Sequence, residues 1–401
     1  MPSLLDLPPE LLDEIAELVH ATLPKQYLGS VHRAFLPTSR RLFFRRLIVT
    51  SFLRLDRLCD LLRQGKAVAQ SVVHLKLDLA GVDPGLPTSA NVAALLESLP
   101  SLRSLKVCDN PRILDISANP SPLQQCPLEW LFLQSSPAPH FGPFHPDRFR
   151  CLLFYKNLST LTIYSQPDET HPPPVQPSPA PLRINIVDLR LQGRLLDDPA
   201  VPLLLAACPH LLSLTLFQDD ATQEGMCLPF DVLLDAVANP ALGKLSILDN
   251  GDYWHIELGK AIERFTELEC LALGPSCACA ELVPSLQQFP SLDTIIFHPG
   301  ADITTDGILP LLKPSTKPPS LRVLMVRKVE PSWAQQHDVY DWSPSFSKSG
   351  VAALLTAADE AGVELSGYCV EVVKAEQAEQ AEALKQAKAL KSADGESRKQ
   401  V

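Results

Sequence analysis

A segment of the form Leu-x-x-Leu-x-Leu returns ten times along this chain, at 72–77, 102–107, 128–133, 158–163, 186–191, 211–216, 242–247, 268–273, 292–297 and 321–326. Val, Ile or Phe replaces Leu at some of these positions. From Leu75 to Leu324 the mean step is about 28 residues, a period that signals stacked supersecondary units rather than one folded core. The alternation places two apolar side chains on one face of a short strand. Between the strands lie amphipathic stretches such as 229–237 and 255–265, which the spacing predicts to be helices. Neither element buries its apolar face alone, so neighbouring units must stack and share a continuous core. Prolines at Leu99-Pro100, Cys208-Pro209 and Phe289-Pro290 suit the reversal each unit needs.

These segments resemble leucine-rich repeats, whose units run ~20–29 residues. The resemblance implies an α/β solenoid over 72–373, with parallel strands on the concave face and helices on the convex face. An atypical eleventh unit, with a helix over 350–361 and a strand over 363–373, would cap the array. In this register the inner leucines are core, and the residues between them face the concave surface. Trp130, Phe132, Tyr164 and Phe217 then form an aromatic patch, which with Arg190 is the candidate target-binding surface.

The first nineteen residues carry a second signal. Asp6 is a plausible N-cap, prolines follow it, and Leu7, Leu11, Leu12, Ile15, Leu18 and Val19 recur at helical spacing against Glu10, Asp13, Glu14 and Glu17. The words Leu7-Pro8-Pro9-Glu10-Leu11-Leu12-Asp13-Glu14-Ile15 resemble the opening of the F-box, the helical module that docks substrate receptors on the Skp adaptor of cullin-RING ubiquitin ligases. The likeness runs through 1–48, over Leu23-Pro24 and the basic segment Ser39 to Leu47. His32 to Phe35 stand where many F-box proteins carry Cys-x-x-Trp. It implies that Leu5, Leu7, Pro8, Leu11, Leu12, Ile15, Leu28 and Val31 face the adaptor. A linker helix is expected over 49–71.

Charge and composition narrow the function classes. A net charge of −11 is a poor nucleic-acid footprint, and the basic run Arg40 to Arg46 fits the third F-box segment better than a phosphate-binding patch. The longest apolar run, 200–208, is far short of the ~20 residues that span a bilayer, so no membrane partner is expected. The N-terminus lacks a basic region leading into an apolar one, which together with scattered cysteines points to a cytoplasmic or nuclear protein with reduced thiols. Cys277 and Cys279 have no second pair or His cluster beside them, so no metal or other cofactor is expected.

No Gly-x-Ser-x-Gly, Walker-type loop or His-Glu-x-x-His occurs. Asp249-Asn250-Gly251-Asp252 opens like a calcium loop but has Lys260 at its twelfth position, and a turn explains it better. A non-enzymatic receptor is therefore expected, with the F-box on the Skp adaptor and a cullin beyond it, and the repeats on a protein target. The alternative is a scaffold whose first helix caps the solenoid. Seven prolines in 166–181 mark an exposed insertion, in which Pro174-Val175-Gln176-Pro177 is either a passive loop or a ligand for a proline-binding domain. Residues 374–401 form a charged tail, helical or disordered.

Overall fold

The computed structural model describes residues 8–22, 36–64, 66–78, 95–108, 127–134, 155–165, 183–197, 200–218, 230–249, 258–274, 285–298, 305–327, 348–367 and 371. The chain divides into two compact units, Met1–Leu211 and Leu212–Val401. The proline-rich insertion at 166–181, Cys277, Cys279, Gly251, Asp252 and the tail from 374 lie outside the described residues.

In the first unit, α1 (Pro9–Thr22) and α2 (Leu36–Arg45) precede β1 (Arg46–Val49), α3 (Phe52–Gln64) and α4 (Lys66–Ser71). Five strands follow: β2 (His74–Asp78), β3 (Ser104–Cys108), β4 (Trp130–Gln134), β5 (Thr160–Ser165) and β6 (Asp188–Gly193). All pair in parallel with their sequence neighbours. A 3₁₀ turn (Arg194–Asp197) and α5 (Ala200–Ala206) complete the unit.

The second unit repeats the plan with β7 (Ser213–Gln218), α6 (Phe230–Asp235), β8 (Lys244–Asp249), α7 (Gly259–Ile262), β9 (Cys270–Leu273) and β10 (Thr294–Phe297). It ends with α8 (Thr305–Leu312), β11 (Val323–Val326), α9 (Lys348–Ala361) and β12 (Glu364–Gly367). Its strands also pair in parallel and in chain order. Each unit is thus α/β with an all-parallel sheet, one strand per repeat, as a solenoid requires.

Burial follows the alternation read from the sequence. Along β2 and β4 every second residue is buried, and the residues between are partly exposed. Leu75, Leu77, Leu105, Leu131, Leu133, Leu161 and Ile163 therefore form the core of the first sheet, and Leu214, Leu245, Leu271, Ile295 and Leu324 that of the second. Helical leucines such as Leu204, Leu205, Leu233 and Leu234 cover the buried side.

Each strand starts two residues after the first leucine of its segment, because that leucine closes a turn instead. Leu102 N–H donates to Leu99 O, Leu211 to Cys208 O, Leu268 to Phe265 O, Leu292 to Phe289 O and Leu321 to Pro318 O. Both ends of each turn are buried, and Pro100, Pro209, Pro290 and Pro319 sit at the second position, where a fixed φ favours the bend. One carbonyl just after each turn then accepts two successive N–H groups from the next repeat. Val73 O takes Arg103 and Ser104, Arg103 O takes Glu129 and Trp130, and Gly243 O takes Glu269 and Cys270. This double acceptance sets the register between repeats.

Two elements differ from expectation. Arg46 and Leu47, expected inside the helical module ending at 48, open a strand instead, and the expected linker helix begins only at Phe52. The β-branched Ile48 and Val49 favour the extended form, and β2 offers an open edge that Arg45 O and Val73 N–H begin to close at 3.0 Å. At the other end, β12 stops at Gly367 rather than running to 373. Gly367 has φ +81°, which ends the extended backbone, and Glu371 is helical.

Candidate functional site

The N-terminal helix divides its apolar stripe between two directions. Pro8 O accepts hydrogen bonds from Leu11 N–H and Leu12 N–H, both at 3.1 Å, which starts the helix where a proline lacks a donor to lose. Leu12 and Ala16 pack with Leu42 of α2, one turn apart on the inward side. On the adjacent face, Leu11 is 43% and Leu18 68% exposed, and Ile15 between them is partly buried. Residues 11, 15 and 18 follow i, i+4, i+7 spacing, so they form one stripe. Pro8 is exposed at its end. Leu5, Leu7, Leu28 and Val31 lie outside the described residues.

Exposed large apolar side chains gather in this part of the chain. Leu11, Leu18, Phe43, Ile48, Leu53 and Leu61 fall within residues 11–61, whereas Leu203, Leu212 and Val232 are the exposed members among the described residues further on. Phe43 and Phe44 stand edge-on at 5.1 Å between ring centroids.

On β4, Trp130 and Phe132 share the partly exposed face of the first sheet and stack, with centroids 5.8 Å apart and planes at 25°. Parallel register makes Lys106 the neighbour of Phe132 on β3, and its ammonium lies 4.0 Å from that ring's centre. This cation–π contact fixes the lysine over the aromatic face. Thr162 and Arg190 continue the same row across β5 and β6. Arg190 Nη2 reaches Asp188 Oδ2 at 3.0 Å, and the arginine side chain is more than half exposed. Tyr164 lies one strand over from Phe132, in the row of Gln134 and Gln192. Phe217 belongs to the second unit, partly exposed on β7. Of the five candidates, then, the structure brings Trp130 and Phe132 into contact and sets Tyr164 and Arg190 on the same sheet.

A cleft of about 700 Å³ opens beside Trp130, a feature that local spacing in the sequence did not signal. Arg41 and Arg45 of α2 line it, as do His74, Arg103 and Glu129 from three successive repeats. Arg103 Nη1 and Glu129 Oε1 are 3.1 Å apart, both side chains at least half exposed. Burial, then the charges of Arg46 and Arg45, hold the His74 imidazole below its ordinary value. These residues are far apart in sequence and meet only because the double-acceptance turns align consecutive repeats.

No cluster of three or more His, Cys, Asp or Glu side chains suited to a metal occurs among the described residues. Cys59, Cys108 and Cys208 are buried and outside any disulfide, and burial pushes Cys208 up to about 12, well away from nucleophilic thiolate. No described helix is long and apolar enough to cross a membrane.

No protein-family model matches the chain, and no curated protein matches it. Among solved structures, a Bacteroides fragilis protein is similar at 13% identity and a TM-score of 0.35, over 78% of this chain and 69% of that one. The yeast complex of Rad7 and Elc1 is similar at 16% identity and a TM-score of 0.33, over 86% of this chain and 79% of that one. At these TM-scores neither likeness establishes a shared overall fold.

Proposed function

We propose that this chain is a non-catalytic substrate receptor of an SCF-type ubiquitin ligase. Its N-terminal F-box docks on a Skp-family adaptor and thereby on a cullin, and a leucine-rich solenoid presents a protein target. The observation that carries this reading is the stripe of Leu11, Ile15 and Leu18. The helix is held to α2 through Leu12 and Ala16, yet keeps two leucines largely exposed next to words that resemble the F-box. A helix that served only to cap the repeats would turn those leucines inward.

Fully burying an apolar side chain of this size contributes ~1.5–3 kcal/mol, so covering the exposed parts of Leu11 and Leu18 is worth about 2–3 kcal/mol together. The chain then contributes proximity rather than chemistry, bringing the target near the ubiquitin-charged enzyme. Trp130 and Phe132 are the aromatic anchors for that target, with Tyr164, Arg190 and Phe217 as further contacts. Such a receptor acts in the cytoplasm or nucleus, where the ligase machinery resides.

Affinity purification of the tagged full-length chain, followed by mass spectrometry, tests the assignment. Recovery of a Skp-family adaptor with a cullin is expected. Recovery of neither from cells that express both would reject it.

A further inference from the structure

The cleft beside Trp130 joins two kinds of surface that rarely meet by accident. Three arginines from two different elements line it, in a chain whose net charge is −11. Arg41 and Arg45 are i, i+4 on α2 and so lie on one helical face. Arg103 approaches from the turn before β3, and Trp130 supplies an aromatic wall that continues through its stacking partner Phe132.

We propose that this cleft binds an acidic segment of the protein target, with Asp or Glu carboxylates on Arg41, Arg45 and Arg103 and a neighbouring apolar side chain against Trp130. The inference rests on the reading of the chain as a receptor and names the chemistry its target must present. Guanidinium forks match carboxylates in geometry, and the cleft already contains one such pair in Arg103 and Glu129. That pair is also why separate carboxylates suit the cleft better than a phosphate. The guanidinium groups belong to three separate side chains with Glu129 beside Arg103, an arrangement that suits several single charges better than one concentrated dianion. His74 also lines the cleft, and after burial it is the charges of Arg46 and Arg45 that lower its imidazole. An incoming carboxylate competes with Glu129 for Arg103, so Glu129 restrains binding.

Fluorescence anisotropy on the full-length chain tests this, using a labelled oligoglutamate peptide ending in Phe and an oligoglutamine-Phe control. The glutamate peptide is expected to bind and the control not to. Arg45→Glu combined with Arg103→Glu is expected to weaken binding by at least about tenfold. Glu129→Gln is expected to tighten it by roughly two- to fivefold, a gain that misfolding does not produce. Equal binding of both peptides, or no change in either variant, would overturn the proposal. So would a matched phosphoserine peptide binding more than about tenfold tighter, because the occupant would then be a phosphopeptide. Loss of adaptor capture with peptide binding intact rejects the ligase reading instead, so the two failures are distinguishable.

Discussion

His298 follows β10 mostly buried, with its backbone N–H donating to Leu273 O at 2.8 Å. Burial first, and the charge of Arg327 second, push its imidazole down to about 4. In the unfolded chain it titrates near ~6.5. Between those values the unfolded state binds a proton that the folded state refuses, so stability falls as pH is lowered through that window. Urea unfolding at pH 7 and pH 4.5 should differ by about 2 kcal/mol on this account, and His298→Asn should remove most of the difference. An unchanged pH dependence in the variant would refute the assignment. Asp293, held low by its Thr294 hydrogen bond and then by Arg322, acts in the same direction at lower pH: its contribution is present above the ordinary carboxylate value and lost as pH falls below it.

Two glycines near the C-terminal end test backbone geometry at the same scale. Gly362 has φ +64° and ends α9 with Val363 N–H on Ala358 O and Gly362 N–H on Asp359 O, the paired bonds of a Schellman cap. Nothing crowds a Cβ there, so Gly362→Ala should cost only the left-handed strain, about 1 kcal/mol by thermal melting. Gly367 combines positive φ with a Cβ position that runs into the backbone of Val326, and its alanine variant should be clearly more destabilised than that of Gly362. Equal melting temperatures would contradict this ranking.

At the scale of the element, the strands were legible and their edges were not. Period-two alternation of leucine identified all ten central strands, because parallel pairing buries one face completely. It did not locate their starts, since the first leucine of each segment serves a turn whose hydrogen bond depends on three-dimensional reversal. It also missed β1, where only four residues in a basic context pair with an edge that exists once β2 has formed. The strand alternation makes a quantitative contrast between the two faces of paired strands β8 and β9. Leu271→Ala in β9 should cost ~2–5 kcal/mol through the cavity it leaves, whereas Ser246→Ala, on the partly exposed face of β8, should stay within about 0.5 kcal/mol. For the site, Trp130 and Phe132 were legible because two-residue spacing on a strand puts both rings on one face. The stripe on α1 was legible as amphipathic, but which of its residues would point outward was decided by Leu42 of α2, which no local pattern announces. The arginine cleft was hidden for the same reason, as Arg41, Arg103 and Glu129 become neighbours only through stacking of repeats.

For the whole molecule, the account is one of division of labour along the chain. Among the described residues, exposed apolar side chains concentrate at the start, a packed leucine core runs through each unit, and polar, aromatic and cationic residues occupy the partly exposed face of the first sheet. On the proposed reading the exposed stripe of α1 serves the adaptor and the aromatic face of the first sheet serves the target. Replacing Trp130 and Phe132 together by alanine should therefore abolish target capture while leaving adaptor capture intact, as read by co-purification from the same cells. Titration of the purified chain with a purified Skp-family adaptor in a calorimeter tests the central claim most directly. A saturable one-to-one complex is expected, with the negative heat-capacity change of apolar burial, and Leu11→Glu with Leu18→Glu should eliminate it while the repeats still unfold cooperatively. Absence of binding by the unmodified chain, or undiminished binding by the doubly substituted one, would contradict the account.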